Sequence, residues 1–145
     1  MRLLLDTNVV SASRRPERQS EAFQAFLSDV DVGDAFISVL TVMEIRFGIQ
    51  REAATDPAFS EDLTRWLDGI VLPAFEGRIL VFGLDEALRA GVLPTAQKRP
   101  TADAMIAATA LAHRLTVATR NVADFIPLGV DCLNPWNHVP GGASG

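Results

Sequence analysis

Four acids lie in segments far apart along the chain, three of them after short apolar runs and one in the first turn of a small-residue helix. Asp6 ends "RLLLD", Glu44 lies in "TVMEIRFGI" after "DAFIS", Asp103 opens "TADAMIAATALA", and Asp124 sits in "NVADF" after "TVAT". A buried strand that finishes on a carboxylate needs a donor or a cation beside it, because burying an unpaired charge is costly. Several carboxylates in one low-dielectric cleft repel one another. They ionise together only when a cation joins them; otherwise one stays protonated. An all-oxygen donor set suits Mg2+ or Mn2+. His113, His138 and the lone Cys132 form no cluster that competes for zinc.

Each acid also has an ordinary reading. Asp6 can cap a helix starting at Thr7, and Asp103 can complement a helix dipole behind a Thr101 cap. Glu44 can be a half-exposed helix charge, and Asp124 a surface one. Independent caps, however, need not all fall at the carboxyl ends of strands. The elements that would gather these acids can be read from apolar periodicity. Short apolar runs predict strands at 2–5, "DAFIS", "GRILVFG", "TVAT" and "GVDCL". Helices are predicted from Thr7 to Ser13, in "SEAFQAFLSD", from Thr41 through "TVMEIRFGIQRE", over about 57–72, weakly in "DEALRAG", and strongly in "TADAMIAATALAHRL". Strands alternating with helices predict an α/β fold with a mainly parallel sheet. In such sheets ligands bind beyond the carboxyl ends of the strands, which is where the four acids stand.

With 145 residues and 48% hydrophobic content, the chain predicts one domain, over 1–139, and the Gly-rich end 140–145 is expected to be disordered. It has no apolar run of the roughly 20 residues a membrane span needs, and Asp6 and Asn8 interrupt any signal-peptide core. One cysteine excludes an internal disulfide and suits the cytoplasm. The net charge of −5 argues weakly against a nucleic-acid partner, but says nothing of local patches. Basic residues cluster at Arg14, Arg15 and Arg18 and at Lys98 and Arg99, and Arg46 and Arg120 lie near acids in sequence. A basic rim around an acidic cleft is a reasonable arrangement for gripping RNA.

The stretches "LLLDTNVVS", "TVMEIRFGI", "TADAMIAATALAHRLTVATRNVADF" and "NPWN", in that order over nearly the whole chain, resemble the PIN domain, in particular the VapC/FitB-type toxins of bacterial toxin–antitoxin pairs. The resemblance implies a three-layer α/β/α fold around a mainly parallel sheet. It also implies a Mg2+-dependent ribonuclease, with Mn2+ as substitute, usually a homodimer, held inactive by a small DNA-binding antitoxin. Carried over by position, Asp6, Glu44, Asp103 and Asp124 form the acidic, metal-binding set, and Thr7, Asn8, Thr119 and Asn121 match polar supporting positions. Such an enzyme cleaves RNA phosphodiesters with water activated by metal. The antitoxin is expected to lay apolar side chains near Phe47 and Trp66 and to aim an Arg or Lys plug at the acids. One departure is a short segment from 84 to 102, crowded by Gly91, Pro94 and Pro100, where related proteins carry a longer helix and loop. Two other functions compete. "LLLDTNVV" also resembles the opening motif of haloacid-dehalogenase-like phosphatases, but those want a second acid where Asn8 sits and a later lysine that Lys98 is poorly placed to supply. A catalytically silent PIN-fold interaction module is the other, and the presence of all four acids weighs against it.

Overall fold

Along the first strand, β1 (Leu3–Leu5), side chains alternate between two hydrophobic cores. Leu3 and Leu5 enter one and Leu4 the other, as a strand buried on both faces requires. The structure, a computed structural model, describes residues 1–141. Its other strands are β2 (Ala35–Ser38), β3 (Ile79–Leu80), β4 (Thr116–Ala118) and β5 (Cys132–Leu133). They form one sheet in the order β3-β2-β1-β4-β5, with every pairing parallel. The chain leaves β1 for β2 on one side and later returns to place β4 on the other. The carboxyl end of β1 therefore lies at a topological switch point, where open α/β sheets have their crevice.

Helices α1 (Thr7–Ser13), α2 (Glu21–Asp29), α3 (Val39–Glu52) and α4 (Pro57–Trp66) supply Val9, Val10, Phe23, Phe26, Ile45, Ile49 and Trp66 to the first core. A short α5 (Leu72–Ala74) and α6 (Leu84–Ala90) precede α7 (Ala102–His113), and α8 (Val122–Phe125) comes after β4. The second core, under the opposite sheet face, holds Ala104, Ile106, Ala107 and Ala110 of α7 with Leu4, Val117, Phe125 and Leu128. This is the three-layer α/β/α arrangement. The alanines let α7 approach the sheet closely, and its interior Thr109 hydroxyl is satisfied by the Met105 carbonyl at 2.9 Å. Among the described residues no helix is long and apolar enough to cross a membrane.

Three local features depart from the periodicity. The third helix starts at Val39 rather than Thr41, because Ser38 caps it by accepting the Leu40 N–H at 3.0 Å. The helix expected over 57–72 contains a π turn at Leu67–Val71. The extra residue rotates the next turn of the helix, so Val71 is buried while Ile70, which ordinary helical spacing would set on one stripe with Leu63, Trp66 and Leu67, is 61% exposed. Phe23, Phe26 and Trp66 are core residues, so the apolar stripes of α2 and α4 are largely spent inside the protomer. The strand expected across "GRILVFG" is only Ile79–Leu80: Gly77 before it takes a left-handed φ of 81°, and it pairs on one side only, as the sheet's edge.

After β5, the chain crosses back over α2. The Trp136 ring stacks on Phe23 with centroids 4.4 Å apart, and its indole N–H donates to Gln19 Oε1 at 3.1 Å. His138 Nε2 lies 2.7 Å from Asp29 Oδ2, which also accepts the Gly141 N–H. The His138 contact, then that N–H, hold the Asp29 carboxyl below its ordinary range. Pro140 and Gly141 form a turn; for 142–145, the disorder expected of the tail concerns residues outside the described ones. Cys132 is half-buried on β5, where burial and then the Asp131 charge push its thiol pKa up.

The close approach of α7 is testable. Ala107 is fully buried against the sheet, so Ala107→Leu should lower unfolding free energy by about 1–3 kcal/mol through overpacking. Urea denaturation measures it, and an unchanged midpoint would show that α7 has room to spare.

Candidate active site

Register decides the first contact. Leu5 pairs with Ala118, so the next residues, Asp6 and Thr119, stand side by side beyond the sheet edge. The Asp6 N–H continues the ladder to Ala118 O at 2.9 Å. Asp6 is only 6% exposed, and its two oxygens divide their duties. Oδ1 accepts the Thr7 N–H at 2.9 Å, capping α1. Oδ2 accepts the Thr119 hydroxyl at 2.8 Å and the Asn8 amide at 3.2 Å. Asp6 thus caps α1, and the strand's terminal carboxylate has its donors. Thr119 Oγ1, fully buried, also accepts the Asn121 N–H at 3.0 Å and lies 3.3 Å from Asn8 Nδ2. Asn8 closes the ring by accepting the Arg120 N–H at 3.2 Å.

On the other side of β1, α3 contributes. Thr7 Oγ1 donates to Glu44 Oε1 at 2.7 Å and lies 3.0 Å from Thr41 Oγ1. A hydroxyl has one proton; with that of Thr7 spent on Glu44, Thr41 donates to Thr7. Thr41 and Glu44 share one face of α3 at spacing i, i+3, the threonine fully buried and the glutamate exposed. Thr41 is a site residue that sequence reasoning missed. Its one signal is a threonine set one helical turn before the acid.

Asp103 stands in the first turn of α7, whose Thr101 cap accepts the Ala104 N–H at 3.1 Å. Unlike Asp6, its carboxylate has no hydrogen-bond partner among the described residues. Burial pushes its pKa above the ordinary 3.8, and the charges of Asp6, Asp124 and Glu44 add to the rise, in that order. The four acids therefore share one electrostatic field. Asp103 and Asp124 face a cleft of about 310 Å³, walled on its far side by Pro94, Thr95, Ala96 and Gln97 from the short segment after α6. That segment forms turns without a helix, and Lys98 in it adopts a left-handed φ of 57°. Asn121 joins the site through its backbone N–H; its side chain is exposed.

The donor set is oxygen only, and Asp103 is both desolvated and crowded by negative charge, a position that a cation relieves. No group of three or more His, Cys, Asp or Glu side chains among the described residues is arranged to hold one ion directly. The residues therefore fit a cation held by one or two carboxylates with water completing its shell, which is the habit of Mg2+. The phosphatase reading finds no footing here. Asn8, where a second acid should be, is an amide that donates to Asp6.

The comparisons agree with this geometry. The family model of the PIN domain matches residues 3–125. The VapC ribonuclease Y4jK of Sinorhizobium fredii is 37% identical over 92% of this chain and 97% of its own. The toxin FitB of Neisseria gonorrhoeae is 36% identical over 93% of this chain and 99% of its own. The crystal structure of FitAcB from Neisseria gonorrhoeae superposes with a TM-score of 0.81 at 35% identity, covering 93% of this chain and 99% of that one. With the family model spanning most of the chain and full-length relatives above 30% identity, the protein belongs to the PIN-domain family.

Proposed function

We propose that this protein is the toxin of a toxin–antitoxin pair and acts as a Mg2+-dependent ribonuclease, with Mn2+ able to substitute. The observation that carries the reading is Asp103, an unpartnered, partly desolvated carboxylate in the field of three other acids. Such a group is costly in its ionised form, and a bound cation would relieve that cost. The similarity to a VapC ribonuclease and a FitB toxin supports RNA as substrate and toxicity as the role. The cytoplasm, where cellular RNA is translated, is the proposed location.

In this reading Asp6 and Asp103 would hold the metal, Glu44 would reach it through water, and Asp124 would help hold a second, weaker ion. Bound there, Mg2+ would neutralise phosphate charge and lower the pKa of water. Thr119 and Asn8 keep the Asp6 oxygen in place, and Thr7 and Thr41 do the same for Glu44. Asn121, tied to Thr119 by its N–H, is set to orient substrate or water with its exposed amide.

The partner reading includes a small antitoxin. Solved relatives include a toxin–antitoxin complex from Klebsiella pneumoniae and FitAB bound to an IR36 DNA fragment. A groove of about 270 Å³ lined by Arg14, Arg15, Asp62, Arg65, Trp66 and Ile70 supports Trp66, though not Phe47, as the place for its apolar side chains, with an Arg or Lys plug aimed at the acids. A homodimer is also proposed. Its support lies in the exposed Met43 and Phe47 of α3 rather than in Phe23 or Phe26.

Three outcomes test the site. Asp6→Asn and Asp103→Asn should each lower Mg2+-dependent RNA cleavage at least about a hundredfold; near-normal cleavage by either variant sinks the assignment. Their stabilities should diverge. A folded-state pKa raised above 3.8 means that ionising Asp103 costs stability, a cost absent below that pH and complete above the raised value. Asp103→Asn should therefore melt higher than wild type in EDTA at neutral pH, with the gain fading as the pH falls towards 3.8. Asp6→Asn should melt lower, since its amide faces donors that Asp6 satisfies. Equal shifts in both variants would contradict this. Thr119→Val keeps the shape but deprives Asp6 of a donor and the Asn121 N–H of its acceptor. Thermal melts should show a loss of about 1–3 kcal/mol, and cleavage should fall about 10–100-fold; wild-type values for both would remove Thr119 from the site.

A further inference from the structure

Arg120, the residue after Thr119, is held from two directions. Its N–H binds Asn8 Oδ1 at 3.2 Å, tying its backbone into the ring around Asp6. Its guanidinium carbon lies 3.9 Å from the centroid of the Trp136 ring. Trp136 is in turn fixed by the Phe23 stack behind it and the Gln19 hydrogen bond at its edge. Arg120 itself is exposed, and among the described residues it has no carboxylate partner, whereas Arg15, Arg65 and Arg89 pair with Glu17, Asp62 and Asp85.

A guanidinium stacked on a ring uses its face and leaves its N–H edge free. That edge suits a phosphate, which it meets with two parallel hydrogen bonds. Stacking also restricts the side chain beforehand, so less entropy is lost on binding. An acidic cleft repels a polyanion, so a fixed, unneutralised cation at its rim is where an incoming strand gains attraction. We propose that Arg120 binds a backbone phosphate of the RNA strand beside the acid cleft, with Trp136 as the positioning residue that holds its guanidinium there. The proposal rests on the ribonuclease reading.

The test uses Asp103→Asn protein, which is expected to bind without cutting, and a short mixed-sequence single-stranded RNA whose affinity is tracked by fluorescence anisotropy across a salt series. Adding Arg120→Ala should weaken binding about tenfold at low salt. The slope of log affinity against log salt should become shallower by about 0.7, the loss of one phosphate contact on a single strand. Arg120→Lys should restore the slope. Trp136→Phe, which keeps a ring beneath the guanidinium, should bind like its parent. Trp136→Leu should bind more weakly, yet add no further loss to Arg120→Ala. Melting curves separate these effects from misfolding, and the exposed Arg120 variants decide the matter even if Trp136→Leu does not fold. An Arg120→Ala protein with its parent's affinity and slope overturns the proposal alone. Failure of the parent to bind RNA at low salt overturns the ribonuclease reading and the proposal together.

Discussion

A carboxylate buried at the end of the central strand is the constraint around which the rest is arranged. Asp6 is 6% exposed and ionisable, so it must be met by donors. They arrive from β4 as Thr119 and from the first turn of α1 as Asn8 and the Thr7 N–H. The Leu5–Ala118 register brings Thr119 to Asp6. A slip of one residue would remove that hydroxyl and turn the alternate faces of β1 into the wrong cores. The hydrogen bonding around Asp6 and the strand register are thus the same fact seen at two scales.

The polar arrangement spreads from that point in two directions. Towards α3, Thr7 passes from capping partner to hydrogen-bond donor for Glu44, with Thr41 behind it. Towards β4 and α8, the Asn8 and Thr119 side chains fix the backbone of Arg120 and Asn121. Asp103 stands apart, set by the Thr101 cap and the close packing of α7, with no donor of its own. The cleft beside it is walled by residues 94–97, which form turns without a helix. Variation there reshapes the rim while leaving the acids in place.

Much of this was legible in the chain. Caps mark helix starts, so Thr7–Ser13 and the helix behind Thr101 read clearly, and the alternation of strands and helices placed the acids at the sheet's carboxyl edge. Other features depend on tertiary contacts that no local pattern encodes. The π turn at Leu67–Val71 is dictated by no single residue, so Ile70 was expected inside and lies outside. Asp6 and Asp103 look alike as acids at helix starts, yet one is fully hydrogen-bonded and the other is bare. Thr41 owes its place to a contact with Thr7, 34 residues away in the chain, which no local pattern encodes.

The central claim is that four acids and their hydroxyl supports cleave RNA with water as nucleophile. Neither histidine is available as a general base: His113 is exposed at the far end of α7, and His138 is paired with Asp29. The chemistry of the cut ends reads this out directly. End-group analysis of RNA fragments produced with Mg2+ should find 5′-phosphate and 3′-hydroxyl termini. Fragments ending in 2′,3′-cyclic phosphate would mean that the RNA's own hydroxyl attacks, and would contradict the account.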